Sequence, residues 1–267
     1  MNLSKYQYYF QAHINAQRGF YFDAVAEPSP GVFAACSSII DDPFWNYCFL
    51  DDVREIKESD LESIQELLPI RDRALSFLLP AHHPLLGADW FRRRYSEFSG
   101  DIWMIATREQ LKLEGISTEL ELRPIEDTED IEMACEVFNN AYLTPNEDGV
   151  GYSGLPPAYT EAFRLGLTRS KAFGSIHLLG ISNGKPVAIA SAFFSGRSAG
   201  IYNVAVSREA RLRGFGSSIS KSIVAASSSL GIRDFFLQTE PESKVQDIYA
   251  SIGFEVLTRG TIFSPAA

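Results

Sequence analysis

The clearest alternation of hydrophobic and polar residues lies in the second half of the chain. Residues 119–125 alternate as a half-buried strand does. Between residues 175 and 195, two apolar runs flank the dipeptide Asn183-Gly184, the strongest short-range signal for a β-hairpin. A third apolar run covers residues 201–207. The pattern predicts one strand upstream, followed by a hairpin and a third strand.

Helical periodicity separates these strands from one another. Apolar residues spaced by three or four predict a helix around residues 131–142, a second follows the loop 143–157, and a third covers about 215–230. Beyond them we expect a strand at 232–239, a short helix that ends at Gly253, and paired strands from Phe254 to Phe263. The resulting order, β-α-α-β-β-β-α-β-α-β-β, predicts an α/β sheet covered by helices.

The N-terminal half has a less regular pattern. Residues 59–68 read as a helix, whereas 73–80 and 101–108 read as buried strands. The polar stretch 108–118 separates this less regular pattern from the clear alternation of the second half. We therefore predict two domains, a smaller N-terminal α/β domain at residues 1–112 and a second domain at residues 117–267.

Composition and charge narrow the class of protein. Hydrophobic residues at 45% and charged residues at 22% are ordinary for a globular domain and argue against disorder. The formal net charge of −10 argues against a nucleic-acid partner and favours a cationic acceptor such as an amine. No apolar run reaches the roughly 20 residues that span a bilayer, and no signal peptide is recognisable, so we expect a cytoplasmic protein without a membrane partner. The three cysteines have no ligand spacing, so no metal is expected.

The segment with candidate chemistry joins the third predicted strand to the third long helix. Arg211-Leu212-Arg213-Gly214-Phe215-Gly216 lies between them. The first turn of a helix has unpaired N–H groups and a partial positive charge, and glycine lets the backbone approach a ligand closely. Ser217 and Ser218 could add hydroxyl donors, and the two arginines could add charge-assisted bonds, so the segment suits a pyrophosphate. A plain tight turn remains the alternative, and neither the dinucleotide fingerprint nor a P-loop is present.

A second motif makes a resemblance specific. Residues 204–218 resemble the acyl-coenzyme A signature of the GNAT superfamily of N-acetyltransferases, in which Arg or Gln precedes x-x-Gly-x-Gly/Ala after a strand. The superfamily also has Tyr-x-x-x-Gly-Phe on a short helix, and here Tyr249 begins such a motif 33 residues after Gly216. The resemblance covers about residues 117–267 and implies a mixed, mostly antiparallel GNAT-type sheet flanked by helices.

The resemblance also implies roles for individual residues. The backbone of the third strand would pair with the pantetheine arm, and the loop with the first helical turn would hold the pyrophosphate. The cofactor-binding residues are then Val204, Ala205, Val206, Arg211, Leu212, Arg213, Gly214, Phe215, Gly216 and Ser217. Tyr249 would be the general acid that protonates the departing thiolate, because a phenol with a pKa near 10 can donate to it. A core aromatic is the alternative for this side chain, and the two roles can coexist.

The resemblance does not assign the proton acceptor to a single residue. Glu240, at the end of the strand 232–239, is the first candidate, and Tyr202 is the second. Thr239-Glu240-Pro241-Glu242 also reads as a capping box that opens the last helix, which is the structural alternative for Glu240. Many relatives have Asn seven residues before the tyrosine, whereas this chain has Glu242.

The function implied by the resemblance is acetyl transfer from acetyl-CoA, as cosubstrate, to a primary amine of a small molecule or peptide. The alternative is an acyl-CoA-binding regulatory module without turnover. The N-terminal half resembles, in length and position only, the degenerate first repeat of tandem GNAT proteins, and we expect it to wall the acceptor pocket. The acceptor, the acyl chain length and the oligomeric state are not specified by these motifs.

Overall fold

The computed structural model describes residues 5–29, 31–50, 56–70, 72–145 and 152–266. The backbone divides into two compact units. Unit 1 comprises Met1–Met104, Gln238–Gln246 and Val256–Ala267, and unit 2 comprises Ile105–Leu237 and Asp247–Glu255. The domains predicted from the sequence, at residues 1–112 and 117–267, stay a prediction, because a compact unit of the backbone and a sequence domain are defined differently.

In its described residues, unit 1 combines three α-helices with a mostly antiparallel sheet. Its elements are α1 (Lys5–Gln17), β1 (Ala24–Ser29), β2 (Val32–Cys36), β3 (Asn46–Leu50), α2 (Leu61–Glu66), β4 (Phe77–Pro80), α3 (Asp89–Arg94), β5 (Tyr95–Thr107) and the C-terminal strand β13 (Glu255–Pro265). The strand order is β1-β2-β3-β4-β13-β5. Strand β13 joins this unit because it pairs antiparallel with β4, from Gly260 opposite Pro80 to Phe263 opposite Phe77.

Aromatic side chains form a large part of the core of unit 1. Phe10 of α1 lies with its ring 4.1 Å from that of Trp103 and 5.0 Å from that of Phe49. All three are almost fully buried. Each such ring buries on the order of 150–250 Å², so α1 is held on the sheet by packing.

Unit 2 contains the elements predicted from the pattern in the second half, together with a pair of two-residue strands at 144–145 and 152–153, inside the stretch 143–157 that was predicted to be a loop. They are β6 (Glu121–Pro124), α4 (Thr128–Ala141), β7 (Thr144–Pro145), β8 (Tyr152–Ser153), α5 (Pro157–Arg169), β9 (Ser175–Ser182), β10 (Lys185–Ser195), β11 (Ser198–Val206), α6 (Phe215–Ser229), β12 (Asp234–Thr239) and α7 (Lys244–Ile252). The strand order is β12-β11-β10-β9-β6. Strands β11 and β12 are parallel, and the other neighbouring pairs are antiparallel. The predicted fold class, an α/β protein with a mixed, mostly antiparallel sheet flanked by helices, is confirmed.

Local turn chemistry explains the β9–β10 hairpin. Asn183 and Gly184 both have left-handed backbone, with φ of 52° and 73°, as a two-residue hairpin turn of this type requires. Two details differ from the sequence-based expectation. The end of the chain forms the single strand β13 rather than paired strands, and the cap of α7 is Ser243, whose Oγ accepts from the Gln246 N–H at 3.2 Å.

The described part of the chain has no helix long and apolar enough to cross a membrane. Cys36, Cys48 and Cys135 are free thiols, and all three are buried. Burial raises the pKa of the Cys36 and Cys135 thiols to about 11, so both remain protonated at neutral pH. They pack as small hydrophobic residues, as their spacing predicts.

Candidate functional site

Strand β11 separates from its parallel neighbour before it ends. The β11–β12 ladder runs from Ser198 opposite Asp234 to Ile201 opposite Leu237 and stops there. On its other side β11 remains paired with β10 as far as Val206. Residues 202–206 therefore present one backbone edge outside the β11–β12 ladder. This edge contains Val204, Ala205 and Val206, the residues predicted to pair with an extended ligand.

A β-bulge lies at the start of this edge. Ile189 pairs with Ala205 and Ser191 pairs with Tyr202, so Asn203 and Val204 together face the single residue between Ile189 and Ser191. Asn203 is left-handed, with φ of 53°. Bulges bend a strand and redirect its backbone groups, and this bulge begins directly after Ile201, where the β11–β12 ladder ends.

The predicted phosphate loop connects the end of this edge to α6. A short 3-10 helix, Arg208–Ala210, follows β11, and α6 begins at Phe215. The N-cap of α6 is Gly214, in left-handed conformation with φ of 79°, and it has no side chain to cap the helix. The N–H groups of the first turn therefore have no side-chain acceptor at the cap, and the helix dipole adds partial positive charge beside them.

The glycines of the loop leave space for a ligand. A Cβ built at Gly214 meets nothing within 4 Å, and one built at Gly216 lies 3.7 Å from Val206 Cγ2, an ordinary contact. The packing of the protein does not require glycine at position 216. A ligand that approaches the backbone closely would require it, so both glycines fit an anionic group at the helix start.

Leu212 has an unusual conformation in this loop. Its φ is 61° and its side chain is fully exposed, although left-handed backbone costs a bulky residue roughly 1–2 kcal/mol. Alternation of right-handed and left-handed residues makes backbone N–H groups converge, which favours anion binding. Strained backbone of this kind clusters at ligand sites.

The two loop arginines contact the protein itself. The Arg211 guanidinium donates to the carbonyl of Ala141, at the end of α4, and to that of Val206 at 3.4 Å. Arg213 forms an ion pair with Glu119 at 2.7 Å and lies over the Phe215 ring. Arg211 thus anchors the loop to α4, and its predicted contact with pyrophosphate stays a prediction, as does that of Arg213.

The two serines of the first turn of α6 have different surroundings. Ser218 is buried, and its Oγ accepts the backbone N–H of Ser117 at 3.0 Å. Ser217 is only partly buried. Of the two hydroxyls, the Ser217 hydroxyl is therefore the more accessible to a ligand.

Tyr249 projects from α7 toward α6. It is buried, and its hydroxyl hydrogen-bonds with the side chain of Ser220, whose own Oγ donates to the Gly216 carbonyl at 2.8 Å. Burial raises the pKa of the Tyr249 phenol above its usual value of 10, so the group holds its proton at neutral pH. The ring also packs on Phe254, at 5.9 Å between centroids. Tyr249 is thus a core residue, and its hydroxyl lies beside the first turns of α6, at Ser220.

The proton-acceptor candidates lie in different environments. Glu240 belongs to unit 1, follows β12 directly and is exposed. Burial, together with the negative charge of Glu240, raises the pKa of Asp101 on β5 to about 6. Sequence reasoning missed Asp101, although an acidic residue inside a predicted strand was a usable signal.

The remaining candidates have structural roles. Tyr202 lies over Gly200, where a Cβ would be 2.3 Å from its ring, and its ring packs edge-on against Phe193 and Phe236. Glu242 is left-handed, with φ of 52°, and its N–H donates to the side chain of Gln246 at 3.1 Å. Within the described ranges, no group of three potential metal ligands occurs.

Comparisons with known proteins concern the fold and one segment of the sequence. Residues 178–263, about a third of the chain, match the family described as FR47-like protein. No curated protein matches the sequence.

Solved structures resemble the fold over most or all of the chain. A GCN5-related N-acetyltransferase from Kribbella flavida aligns with a TM-score of 0.69 at 14% identity, over 100% of this chain and 97% of that one. A GCN5-related N-acetyltransferase from Sphaerobacter thermophilus has a TM-score of 0.62 at 16% identity, over 88% and 76%. A tandem GNAT protein from the clavulanic acid biosynthesis pathway has a TM-score of 0.62 at 12% identity, over 88% and 78%. The chain is therefore similar to FR47-like protein over residues 178–263, and its fold resembles that of solved GNAT N-acetyltransferases over most or all of its length.

Proposed function

We propose that this protein is an acyl-CoA-dependent N-acyltransferase that transfers an acetyl group from acetyl-CoA to a primary amine of a small molecule or peptide. One observation carries the proposal. In unit 2, the strand edge at residues 202–206 leads, through the short 3-10 helix Arg208–Ala210, into a glycine loop and the start of α6, which has no side-chain cap. The edge offers backbone partners to an amide-containing pantetheine arm, and the helix start offers N–H groups to a pyrophosphate.

The reaction needs no covalent enzyme intermediate. The neutral amine nitrogen attacks the thioester carbonyl carbon, the C–S bond breaks, and the sulfur leaves as a thiolate. Backbone N–H groups at the β11 bulge would polarise the carbonyl oxygen. Tyr249 would return a proton to the sulfur, and burial keeps that proton on the phenol until it is needed.

The proton lost by the amine needs an acceptor. We propose Glu240 for this role, directly or through a water molecule, because a carboxylate oxygen can accept the proton of an attacking amine. The amine substrate that receives the acetyl group is proposed only by its chemical class, a primary amine. The net charge of −10 would attract a cationic amine.

Calorimetric titration with acetyl-CoA tests the binding step. Gly214→Glu would place a carboxylate at the helix start and should abolish binding of the anionic cosubstrate. Gly184→Glu is the matched control, because Gly184 also has left-handed backbone, with φ of 73°, and open space around it, but it lies in the β9–β10 turn. Equal binding by the wild type and both variants would contradict the proposed site, and no binding by the wild type would contradict the proposed function.

Turnover separates an enzyme from a binding module. Tyr249→Phe removes only the hydroxyl, so in an enzyme it should lower kcat by about 10²–10⁴-fold and leave the acetyl-CoA affinity within about threefold. The assay follows thiol release over a panel of primary amines. Acetyl-CoA binding without thiol release above background for any amine would favour the regulatory module instead.

A further inference from the structure

A chain of hydrogen-bonded polar side chains, with His177 and Ser191 buried and Ser175 and Asn203 partly buried, crosses three strands of unit 2 and ends at the β11 bulge. His177 on β9 lies with Nδ1 2.8 Å from Ser191 Oγ on β10 and with Nε2 3.1 Å from Ser175 Oγ. Asn203 donates from Nδ2 to the same Ser191 Oγ at 3.2 Å. Ser191 is therefore the hub that connects the histidine to the bulge residue.

This network lies in the interior of the sheet. His177 is 5% exposed and Ser191 is 1% exposed. Burial lowers the pKa of the His177 ring to about 3, so at neutral pH the ring has one N–H donor and one acceptor nitrogen. One consistent arrangement has Asn203 donating to Ser191, Ser191 donating to Nδ1, and the opposite ring nitrogen donating to Ser175. Every member is then satisfied, which buried polar groups require.

The network ends on Asn203, whose backbone could adopt other conformations than the left-handed one it has here. Asn tolerates left-handed backbone better than most residues but does not prefer it. The Asn203–Ser191 hydrogen bond is made in that conformation and so favours it over the alternatives. The β11–β12 ladder ends at Ile201, two residues before Asn203. The conformation of Asn203 therefore decides how the separated edge begins.

We propose that His177 and Ser191 are positioning residues that hold Asn203 in its left-handed conformation and thereby fix the bulge N–H groups against the acyl carbonyl. The inference rests on the proposed function, because the acyl carbonyl is that of bound acetyl-CoA. None of the three side chains transfers a proton to the substrate in this role. A network that only fills the core would stabilise the fold without affecting how the carbonyl is bound.

Three variants separate the two roles. Ser191→Ala removes the hub, Asn203→Gly keeps the left-handed backbone without needing the hub, and the double variant combines them. Ser227→Ala is the control, because Ser227 is also fully buried and its hydroxyl donates to the Ile223 carbonyl within α6. The probe is acetyl-CoA labelled with ¹³C at the carbonyl, whose resonance reports polarisation by N–H donors, with affinity measured by calorimetry.

We expect the bound carbonyl resonance of the wild type to lie downfield of free acetyl-CoA, and Ser191→Ala to return it most of the way to the free position. The affinity of Ser191→Ala should stay within about threefold of wild type, less than 1 kcal/mol, because the loop at α6 is unchanged. Asn203→Gly should keep most of the downfield shift, and adding Ser191→Ala to it should change little. In the ligand-free protein, amide exchange at residues 203–206 should rise in Ser191→Ala and stay at the wild-type rate in Ser227→Ala.

Two results would overturn the inference while leaving the proposed function intact. One is a wild-type resonance position and wild-type amide exchange in Ser191→Ala. The other is a loss of the shift that is equally large with Asn or Gly at position 203, because Ser191 would then not act through Asn203. If the wild type does not bind acetyl-CoA, the proposed function fails first, and this inference fails with it.

Discussion

Gly253 ends α7, the helix that carries Tyr249, and its replacement by alanine gives a sharp test of the packing around that helix. Its φ is 113°, and a Cβ there would lie 2.2 Å from the Gln110 carbonyl oxygen and 3.0 Å from the Gln110 carbonyl carbon. The neighbouring Lys112 N–H donates to the Ile252 carbonyl at 2.8 Å. The obstructing atoms are backbone, so no side-chain rotation can relieve the clash.

Gly231 offers a matched control for the magnitude. It follows α6 with φ of 92°, and a Cβ there meets nothing within 4 Å. Gly231→Ala should therefore cost only the backbone strain, roughly 1–2 kcal/mol. Gly253→Ala carries a similar strain and also displaces α7 or residues 110–112, so we expect a total of about 3–5 kcal/mol, the range of severe core defects.

Urea unfolding followed by circular dichroism measures both variants against the wild type. The midpoint of Gly253→Ala should fall by at least about twice as much as that of Gly231→Ala, provided that the slopes with denaturant agree. Equal losses of unfolding free energy in the two variants would refute the reasoning, because the difference between them is the contact with Gln110.

Two further perturbations test the electrostatics. The pKa of Asp101 is about 6 in the folded protein against an ordinary value of 3.8, so ionisation of Asp101 destabilises the folded state, and the free energy of unfolding falls as the pH rises through about 6. Asp101→Asn should therefore raise the free energy of unfolding by about 1–3 kcal/mol at pH 8 and by almost nothing at pH 4. A gain in denaturant titrations that does not depend on pH would show that ionisation of Asp101 is not its cause. Glu119 and Arg213 form a largely exposed ion pair, so Glu119→Gln should change the free energy of unfolding by less than about 1 kcal/mol. The same variant frees Arg213 and should tighten acetyl-CoA binding at low salt, which calorimetry at two salt concentrations measures. Unchanged or weaker binding at low salt would show that Arg213 does not reach the cosubstrate.

Much of the local structure was predictable because short-range physics determines it. Asn183-Gly184 specifies a tight turn wherever two apolar strands flank it, and the structure has that turn. The apolar stripe of α6 and the glycine before it determine where that helix begins, at Phe215. Ser243 three residues before Gln246 is likewise a local capping signal, which the acidic residues upstream of it obscured.

The geometry of the candidate site, by contrast, depends on contacts between distant residues. The alternation of β11 predicts a strand but not its separation from β12 after Ile201, because register and pairing arise from the whole sheet. Asn203 reads as an ordinary strand residue until Ser191, twelve positions earlier, brings a hydroxyl beside it. The contact between Arg211 and Ala141 spans seventy positions.

The sequence by itself determined which segments form helices, strands and turns, and which motif resembles a cosubstrate loop. Periodicity, capping and turn preferences act over a few residues, so they are visible in a one-dimensional pattern. Only the tertiary structure decided that β13 pairs with β4, that β11 has an edge outside the β11–β12 ladder, and that Tyr249 hydrogen-bonds with Ser220. Those features depend on the burial of side chains and the satisfaction of backbone groups across the fold, which no local stretch of sequence contains.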